Sequence, residues 1–281
     1  MPVKDKQVVV FTPYGRELTV SILYKYLLRE HERGIVDEWW LLMNTDDDQE
    51  SDVTYAIGLS KKHSWIKLVE RPLNPPLHPK QMNTGTFYRF MTDPDTVFVR
   101  FDDDIVYVEP NAIERLVSSR IVKSHPFVVF PIIWNNAICS YYSQQMGIIP
   151  QEYGIVATDH CMEPMAWANP DFARHIHYHL INAINNNAVE ELFLHHDIQL
   201  PLAQQFSVSC FAQNGSEYAE TPVNGEEESW HTIEMPYATG RNNLIVANSL
   251  VSHYSFYNQR PFLLQTDILD WYERIADEAC K

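Results

Sequence analysis

The sequence predicts an α/β fold in which a mostly parallel central sheet is flanked by helices. Short apolar runs alternate with segments of helical period through the first 135 residues, and this alternation is typical of consecutive βαβ units. Beyond residue 135 the pattern is less regular, and the chain shows neither a repeat nor a low-complexity linker. We therefore expect a single domain over residues 1–281, with one half at 1–135 and a less regular half at 136–281.

The first half is expected to contain five strands joined by helices and loops. The strands are "VVVF" (Val8–Phe11), "EWWLLMNT", "WIKLVE", "TVFVRF" and "FVVFPII" (Phe127–Ile133). Helices are predicted from about Glu17, across Val53–Lys62, at "TGTFYRFM" and from near Pro110. The acidic residues 46–48 and the Pro-rich "RPLNPPLHPK" are predicted to be loops.

Fewer elements are clear in the second half. Helical stretches are predicted around Ala166–Asn186, and an apolar segment follows at "NLIVANSLVSHYSFY". The last segment, "QTDILDWYERIADEA", predicts an amphipathic helix with Thr266 as its N-cap.

The composition narrows the functional classes. Hydrophobic residues make up 45% and aromatic residues 12% of the chain, enough for a substantial core, which excludes a disordered protein. The formal net charge of -16 argues against a general nucleic-acid binder. The four cysteines lack CxxC or CxxH spacing, which argues against structural zinc and a disulfide framework. The amino terminus lacks a signal-peptide apolar region, and no apolar run approaches ~18–20 residues, so we expect a soluble cytoplasmic protein without a membrane span.

Three consecutive aspartates, Asp102 to Asp104, follow the predicted fourth strand. Ligands bind at the carboxyl ends of strands in open α/β sheets, and a hard divalent cation would offset the mutual repulsion of the carboxylates. In an extended segment Asp102 and Asp104 would share one side, and Asp103 would face away. An acidic surface loop is the alternative, but the apolar "IVYV" follows at once and favours a site.

The same residues fit a second pattern. Asp102, Asp104 and Val106 satisfy the DxDx[TV] motif of phosphatases of the haloacid-dehalogenase type. That motif belongs to a first strand, whereas here it follows the fourth, and no later strand ends in an Asp pair behind a Lys. A phosphatase remains an alternative.

Several segments resemble glycosyltransferases of the GT-A fold. "VVVFTPYGRELTVSILYKYL" is similar to their first βα unit, and "VFVRFDDDIVYVEPNAIERL" to their DxD element. "FPIIWNNAICS" and "NSLVSHYSFYNQR" resemble segments of a bacterial and viral group of such proteins. The resemblance covers most of the chain. It implies a GT-A-like, Rossmann-type fold and transfer of a hexosyl group from a nucleotide-sugar to a hydroxyl, in the cytoplasm of a bacterial cell or a virus-infected host.

The resemblance also implies roles for the aspartates. In this family the DxD carboxylates hold Mn²⁺ or Mg²⁺, which neutralises charge on the leaving nucleoside diphosphate. Asp104 is expected to contact the metal, Asp102 the metal or the ribose or sugar, and Asp103 the donor. His253 is expected to be the distal metal ligand, and Arg260 to pair with the diphosphate.

Further residues are expected to contact a UDP- or GDP-sugar donor. They lie in the first strand–helix loop and before the fourth strand: Thr12, Tyr14, Gly15, Arg16, Tyr88 and Arg89. Arg100 lies within a predicted strand, where an unpaired charge would be costly, so we expect it to pair with a neighbouring carboxylate.

The acceptor side carries candidates for hydrogen bonding and for proton transfer. Asn135 and Asn136 follow the fifth strand and offer amides to an acceptor sugar. Glu227 or Glu228 is expected to be the general base of an inverting enzyme, with Asp159 as second choice. A retaining enzyme would need no such base.

The acceptor itself stays open. A glycan is expected, with a protein, a lipid-linked sugar or a hydroxylated base in viral DNA as alternatives, although the net charge of -16 argues against DNA. A module that binds a nucleotide-sugar or glycan without turnover is the non-enzymatic alternative. The sequence does not predict an oligomeric state.

Overall fold

Both halves of the chain contribute strands to one mixed β-sheet in the computed structural model. The structure describes residues 6–45, 49–73, 77, 83–223 and 226–280. Within these residues the strands are β1 (Gln7–Tyr14), β2 (Glu38–Met43), β3 (Ile66–Val69), β4 (Thr96–Phe101), β5 (Ile105–Val108), β6 (Val129–Trp134), β7 (Ile198–Gln199), β8 (Cys210–Asn214) and β9 (Leu244–His253). Their spatial order is β3-β2-β1-β4-β8-β6-β9-β5, and β7 pairs with β9.

Helices flank this sheet. They are α1 (Glu17–Glu32), α2 (Glu50–Lys62), α3 (Thr84–Phe87), α4 (Ala112–Val122), α5 (Ala137–Gln145), α6 (Pro164–Ala168), α7 (Pro170–Asn185), α8 (Gly215–Glu220), α9 (Glu227–Ser229), α10 (Met235–Thr239), α11 (Arg260–Leu263) and α12 (Ile268–Ala279). A π-helical segment, Trp230–Glu234, joins α9 to α10. Helix α1 ends where Gly34 adopts a left-handed φ of 71°, which glycine tolerates without a Cβ penalty.

The first four strands of the chain are parallel to one another. β1 pairs with β2 and β4, and β2 pairs with β3. Their carboxyl ends therefore share one edge of the sheet, which is where open α/β sheets bind ligands. β4 is buried along its whole length, as expected for its run of β-branched and aromatic residues.

The second half of the chain completes this edge. β8 lies antiparallel between β4 and β6, and β9 pairs in parallel with β6. β5 is antiparallel to β9, so that Ile105 at the start of β5 lies opposite His253 at the end of β9. This pairing brings the end of β9 beside the three aspartates.

The architecture agrees with the fold class that the sequence predicts, and the five predicted strands correspond to β1–β4 and β6. The N-cap of α12 is Asp267 and not the predicted Thr266, although the hydroxyl of Thr266 accepts from the amide of Ile268, the first residue of α12, at 3.4 Å. Residues 46–48 and most of the Pro-rich segment lie outside the described residues. Among the described helices, none combines the length and apolar character that crossing a membrane requires.

Candidate active site

The three aspartates form a turn between β4 and β5. The amide of Ile105 donates to the carbonyl of Asp102 at 3.2 Å and closes this turn. The extended geometry predicted for the segment is therefore corrected, because a turn ends the alternation of side chains. Instead of facing away from each other, Asp103 and Asp104 both form ion pairs with Arg16.

Asp104 is the centre of the site, and its side chain is 3% exposed. Its Oδ2 accepts hydrogen bonds from Nη1 of Arg16 at 3.2 Å and from Nη2 of Arg260 at 2.8 Å. Its Oδ1 lies 3.3 Å from Nε2 of His253. One carboxylate thus contacts three basic groups, of which one comes from the loop after β1 and two come from the segment between β9 and α11.

These contacts shift the pKa values of the acidic and basic groups. Burial alone would raise the pKa of Asp104, but His253 and the two arginines hold that pKa below its usual range. Burial would lower the pKa of His253, and the Asp104 carboxylate raises it above its usual value instead. Burial raises the pKa of Asp103 to about 6 against the opposing effect of Arg16. The site therefore favours the ionised form of Asp104 and, beside it, the protonated form of His253.

The loop between β1 and α1 positions Arg16 over the turn. Arg16 is the N-cap residue of α1, and its guanidinium contacts both oxygens of Asp103. The hydroxyl of Thr19 donates to the carbonyl of Asp103 at 2.5 Å. A Cβ atom at Gly15 would lie only 3.2 Å from Oδ2 of Asp103, so the close approach of the loop favours glycine here.

A second ionic network lies behind the turn, around Arg100. Its Nε donates to Oδ1 of Asp102 at 2.9 Å, and its Nη1 lies 2.5 Å from Oε2 of Glu227. The hydroxyl of Tyr88 donates to the same Glu227 oxygen at 2.9 Å. The expectation that Arg100 pairs with a neighbouring carboxylate is confirmed, and two carboxylates compensate its buried charge.

The acidic helix α9 carries two glutamates in different environments. The carboxylate of Glu226 caps the helix by accepting from the amides of Glu228 and Ser229. Glu227 is buried against the Arg100 network, whereas Glu228 is half-buried and its Oε1 accepts from Nε2 of Gln205 at 2.7 Å. Burial raises the pKa of Glu228 to about 7. Of the two bases predicted on this helix, only Glu228 combines partial exposure with a pKa suited to proton transfer near neutral pH.

Three residues predicted to contact the donor lie in the core instead. Thr12 is fully buried and accepts from the indole of Trp39 at 3.0 Å. Tyr14 is 1% exposed and donates to the carbonyl of Asp52 at 2.6 Å. Tyr88 is also 1% exposed and belongs to the Arg100 network. The structure corrects these assignments, because each side chain is at most 1% exposed and already has a hydrogen-bond partner in the fold.

The two asparagines predicted for the acceptor are also buried, each at 1% exposure. The side chain of Asn136 caps α5 by accepting from the amides of residues 138 and 139. The amide nitrogen of Asn135 donates to the carbonyl of Tyr254 and to Oε1 of Gln259, each at 3.0 Å. Both side chains are buried and make hydrogen bonds within the fold, which corrects their assignment to the acceptor, although Oδ1 of Asn135 has no hydrogen-bond partner among the described residues.

Two other candidates lie near the surface. Asp159 is partly exposed, and its Oδ2 accepts from the hydroxyl of Tyr142 at 3.3 Å. Arg89 is exposed in the short helical segment after α3. Neither is brought into contact with Asp104 or Glu228 among the contacts of the described residues.

A cavity of about 460 Å³ opens at the same edge of the sheet, beyond the ends of β2 and β3. Its lining combines apolar and polar groups from both strand ends and from α2: Met43, Thr45, Glu50, Val53, Thr54, Glu70 and Arg71. None of these lining residues is among the site residues predicted from the sequence. The available signal was the position of Thr45 and Glu70 at the carboxyl ends of two predicted strands, where ligand-binding residues are expected.

The donor groups around Asp104 fit a divalent cation only in part. Among the described residues, no three side chains of His, Cys, Asp or Glu converge to form a complete metal site. Asp104 and His253 do present one carboxylate oxygen and one imidazole nitrogen side by side, 3.3 Å apart. Mg²⁺ and similar ions are commonly held by one or two protein groups, with substrate phosphates and water supplying the other ligands. The pair fits a metal of that shared kind.

Comparisons with known proteins give matches at the level of structure alone. No protein-family model matches the sequence, and no curated protein does. The chain is similar to the GT-A glycosyltransferase GalNAc-T7, crystallised with UDP, GalNAc and Mn²⁺, with a TM-score of 0.50 at 13% identity. This match covers 97% of the chain and 47% of GalNAc-T7, so the chain spans about half of that protein.

Two weaker matches are a mycobacterial protein and glucosyl-3-phosphoglycerate synthase from Mycobacterium tuberculosis, the latter in complex with Mn²⁺ and UDP-glucose. The first has a TM-score of 0.49 at 13% identity and covers 99% of the chain and 76% of the mycobacterial protein. The second has a TM-score of 0.38 at 16% identity and covers 52% of the chain and 50% of the synthase. The match to GalNAc-T7 confirms that the chain has a GT-A-like α/β fold.

Proposed function

We propose that this protein is a metal-dependent glycosyltransferase that moves a sugar from a nucleoside diphosphate sugar to a hydroxyl acceptor. The observation that carries the proposal is the cluster of Asp104, His253, Arg16 and Arg260 at the ligand-binding edge of a GT-A-like sheet. A carboxylate and an imidazole for a cation lie there beside two guanidinium groups for phosphate.

The two arginines are proposed to bind the donor diphosphate. Their side chains are 35% and 32% exposed, whereas that of Asp104 is 3% exposed, so the guanidinium groups form the accessible layer of the cluster. A guanidinium group matches phosphate oxygens in a bidentate manner. Because the chain has a net charge of -16, such local cations are needed to bind an anionic donor.

Asp104 and His253 would hold Mn²⁺ or Mg²⁺ together with the donor. Bound there, the metal would supply Lewis-acid neutralisation of the leaving diphosphate. Asp102 is proposed to face the donor sugar, held in place by Arg100. The cavity beyond β2 and β3 is proposed to accept the nucleobase and ribose, because it lies on the same edge of the sheet.

Glu228 is proposed to be the general base that deprotonates the acceptor hydroxyl. Its raised pKa of about 7 allows it to take a proton near neutral pH, and Gln205 orients its carboxylate. Glu227 is not proposed as the base, because its carboxylate forms an ion pair with Arg100 and accepts a hydrogen bond from Tyr88. Asp159 remains the second choice.

The proposal is tested by measuring thermal stability with UDP or GDP, with Mn²⁺ or with EDTA. A specific nucleotide at 100 times its Kd stabilises by about 2.7 kcal/mol, which for a chain of 281 residues raises Tm by roughly 4–5 °C. We expect this rise with Mn²⁺ and not with EDTA. Asp104→Asn and His253→Ala should both abolish it, whereas the exposed Asp171→Asn on α7 serves as a matched control.

A nucleotide affinity that is the same in EDTA would contradict the metal-dependent donor site. Release of nucleoside diphosphate from the preferred donor, measured with glycan acceptors and with hydroxymethylated DNA, then distinguishes an enzyme from a binding module. A module would bind the donor and release no diphosphate with any acceptor.

A further inference from the structure

The loop between β9 and α11 carries two of the groups that contact Asp104. His253 is the last residue of β9, and Arg260 is the first residue of α11. His253 faces Oδ1 of Asp104 at 3.3 Å, and Arg260 donates to Oδ2 at 2.8 Å. The amide of Tyr254, the first loop residue, donates to the backbone carbonyl of Asp104 at 2.8 Å. The conformation of this one loop therefore decides how both side chains meet the carboxylate.

Gln259 holds the end of this loop. It is fully buried, and its Nε2 donates to the carbonyl of Ala166 in α6 at 2.9 Å. Its Oε1 accepts from the amide of Phe256 at 3.1 Å and from Nδ2 of Asn135 at 3.0 Å. The side chain thus ties the loop to itself, to α6 and to the residue that follows β6.

Asn135 holds the beginning of the loop. Its Nδ2 also donates to the carbonyl of Tyr254, and its own carbonyl oxygen lies 3.3 Å from Nδ1 of His253. Its backbone has a φ of 65°, a left-handed value that few residues other than glycine adopt and that asparagine tolerates best. A strained backbone at a buried site persists only where the surrounding contacts hold it, and such residues cluster at functional sites.

We infer that Asn135 and Gln259 are positioning residues that hold His253 and Arg260 against Asp104. The carbonyl of Asn135 fixes one ring nitrogen of His253, which aims the other nitrogen at the carboxylate. Gln259 directly precedes Arg260, and its side-chain hydrogen bonds fix the backbone at this point of the loop. Neither amide contacts Asp104 itself, so both act through the loop. The inference rests on the proposed function only for the ligands used to test it.

The test compares Gln259→Met with Gln213→Met. Gln213 is also fully buried, donates to a backbone carbonyl and accepts from a backbone amide, but it lies in β8 away from the loop. Both variants should lose a similar amount of thermal stability. Only Gln259→Met should weaken Mn²⁺ binding, and we expect a loss of about 10–100-fold in affinity, as is typical when a group that supports a metal ligand is removed. Mn²⁺ affinity is measured by electron paramagnetic resonance. Wild-type Mn²⁺ affinity in Gln259→Met would overturn the inference.

Hydrogen exchange provides a readout that does not depend on the proposed function. The amide of Tyr254, bonded to Asp104, should exchange at least tenfold faster in Gln259→Met than in the wild type, and at the wild-type rate in Gln213→Met. Asn135→Gly, which keeps the left-handed backbone and the carbonyl, is the milder second variant and should show a smaller change in the same direction. If the wild type binds neither Mn²⁺ nor UDP, the proposed function fails, and unchanged exchange at Tyr254 in both variants would separately overturn the positioning role.

Discussion

Replacing Glu227 and Glu228 by glutamine, one at a time, should separate two adjacent carboxylates by role. Glu227 is 7% exposed, and its Oε2 lies 2.5 Å from Nη1 of Arg100. The Glu227→Gln change removes one of the two negative charges around a buried guanidinium. Breaking a buried ion pair costs about 3–5 kcal/mol, and we expect about 3 kcal/mol because Asp102 remains in place.

The corresponding shift in melting temperature follows from chain length. An unfolding entropy of about 2.1 cal/mol/K per residue gives roughly 0.6 kcal/mol/K for 281 residues, so a loss of about 3 kcal/mol lowers Tm by about 5 °C. Glu228→Gln keeps the acceptor for Gln205 and removes a charge that burial disfavours, so its Tm should stay the same or rise slightly. Its transfer activity should fall by about 10²–10⁴-fold, as expected for loss of a general base.

Melting curves and nucleoside diphosphate release on the same samples provide the assay. The exposed Glu220→Gln on α8 is the control and should change neither quantity. The opposite outcome, in which Glu227→Gln loses transfer at an unchanged Tm and Glu228→Gln remains active, would refute the assignment of roles on α9. Loss of activity in both variants with a lower Tm only for Glu227→Gln would agree with it, because α9 also depends on the Arg100 network.

Two further predictions concern pH and the donor. Burial raises the pKa of Glu228 to about 7, so its ionised form is lost as pH falls through that value. We therefore expect kcat/KM to drop about tenfold per pH unit below 7. The Glu228→Gln variant should lack this acidic limb of the pH–rate profile. Thr54 is exposed on α2 and lines the cavity beyond β2, so Thr54→Trp should weaken UDP or GDP binding at least tenfold while Mn²⁺ binding and Tm stay the same. Unchanged nucleotide affinity in this variant would remove the cavity from the donor site.

The fold could be predicted because the apolar runs of β1 to β4 and β6 are each bounded by turns or helices. Their alternation with helical segments admits few topologies, and the parallel arrangement places the residues after each strand at one edge. The position of the aspartates at that edge followed from the end of β4 alone. By contrast, β8 is short and ends in polar residues, so its place between β4 and β6 had no local signal.

The roles of individual polar residues could not be predicted, because burial depends on partners far away in the sequence. Glu227 and Glu228 are adjacent and chemically identical, yet one lies against Arg100 and the other against Gln205. Asn135 has the amide that an acceptor site needs, and only the structure reveals that its donors are used by Tyr254 and Gln259. Sequence alone therefore identified the two adjacent glutamates and the strand ends but not which side chains remain available.

The contacts of Asp104 also decide whether the two halves of the chain can work separately. Arg16 comes from the loop after β1, whereas His253 and Arg260 come from the ends of β9 and α11. A fragment ending at residue 135 would retain Asp104 and Arg16. It would lose strands β8 and β9, together with His253 and Arg260. The carboxylates of Asp103 and Asp104 would then have Arg16 as their single cationic partner. Because each uncompensated buried charge is costly, the cluster requires both halves at once. The boundary near residue 135 therefore separates regions of different regularity, and the proposed donor site is assembled across it.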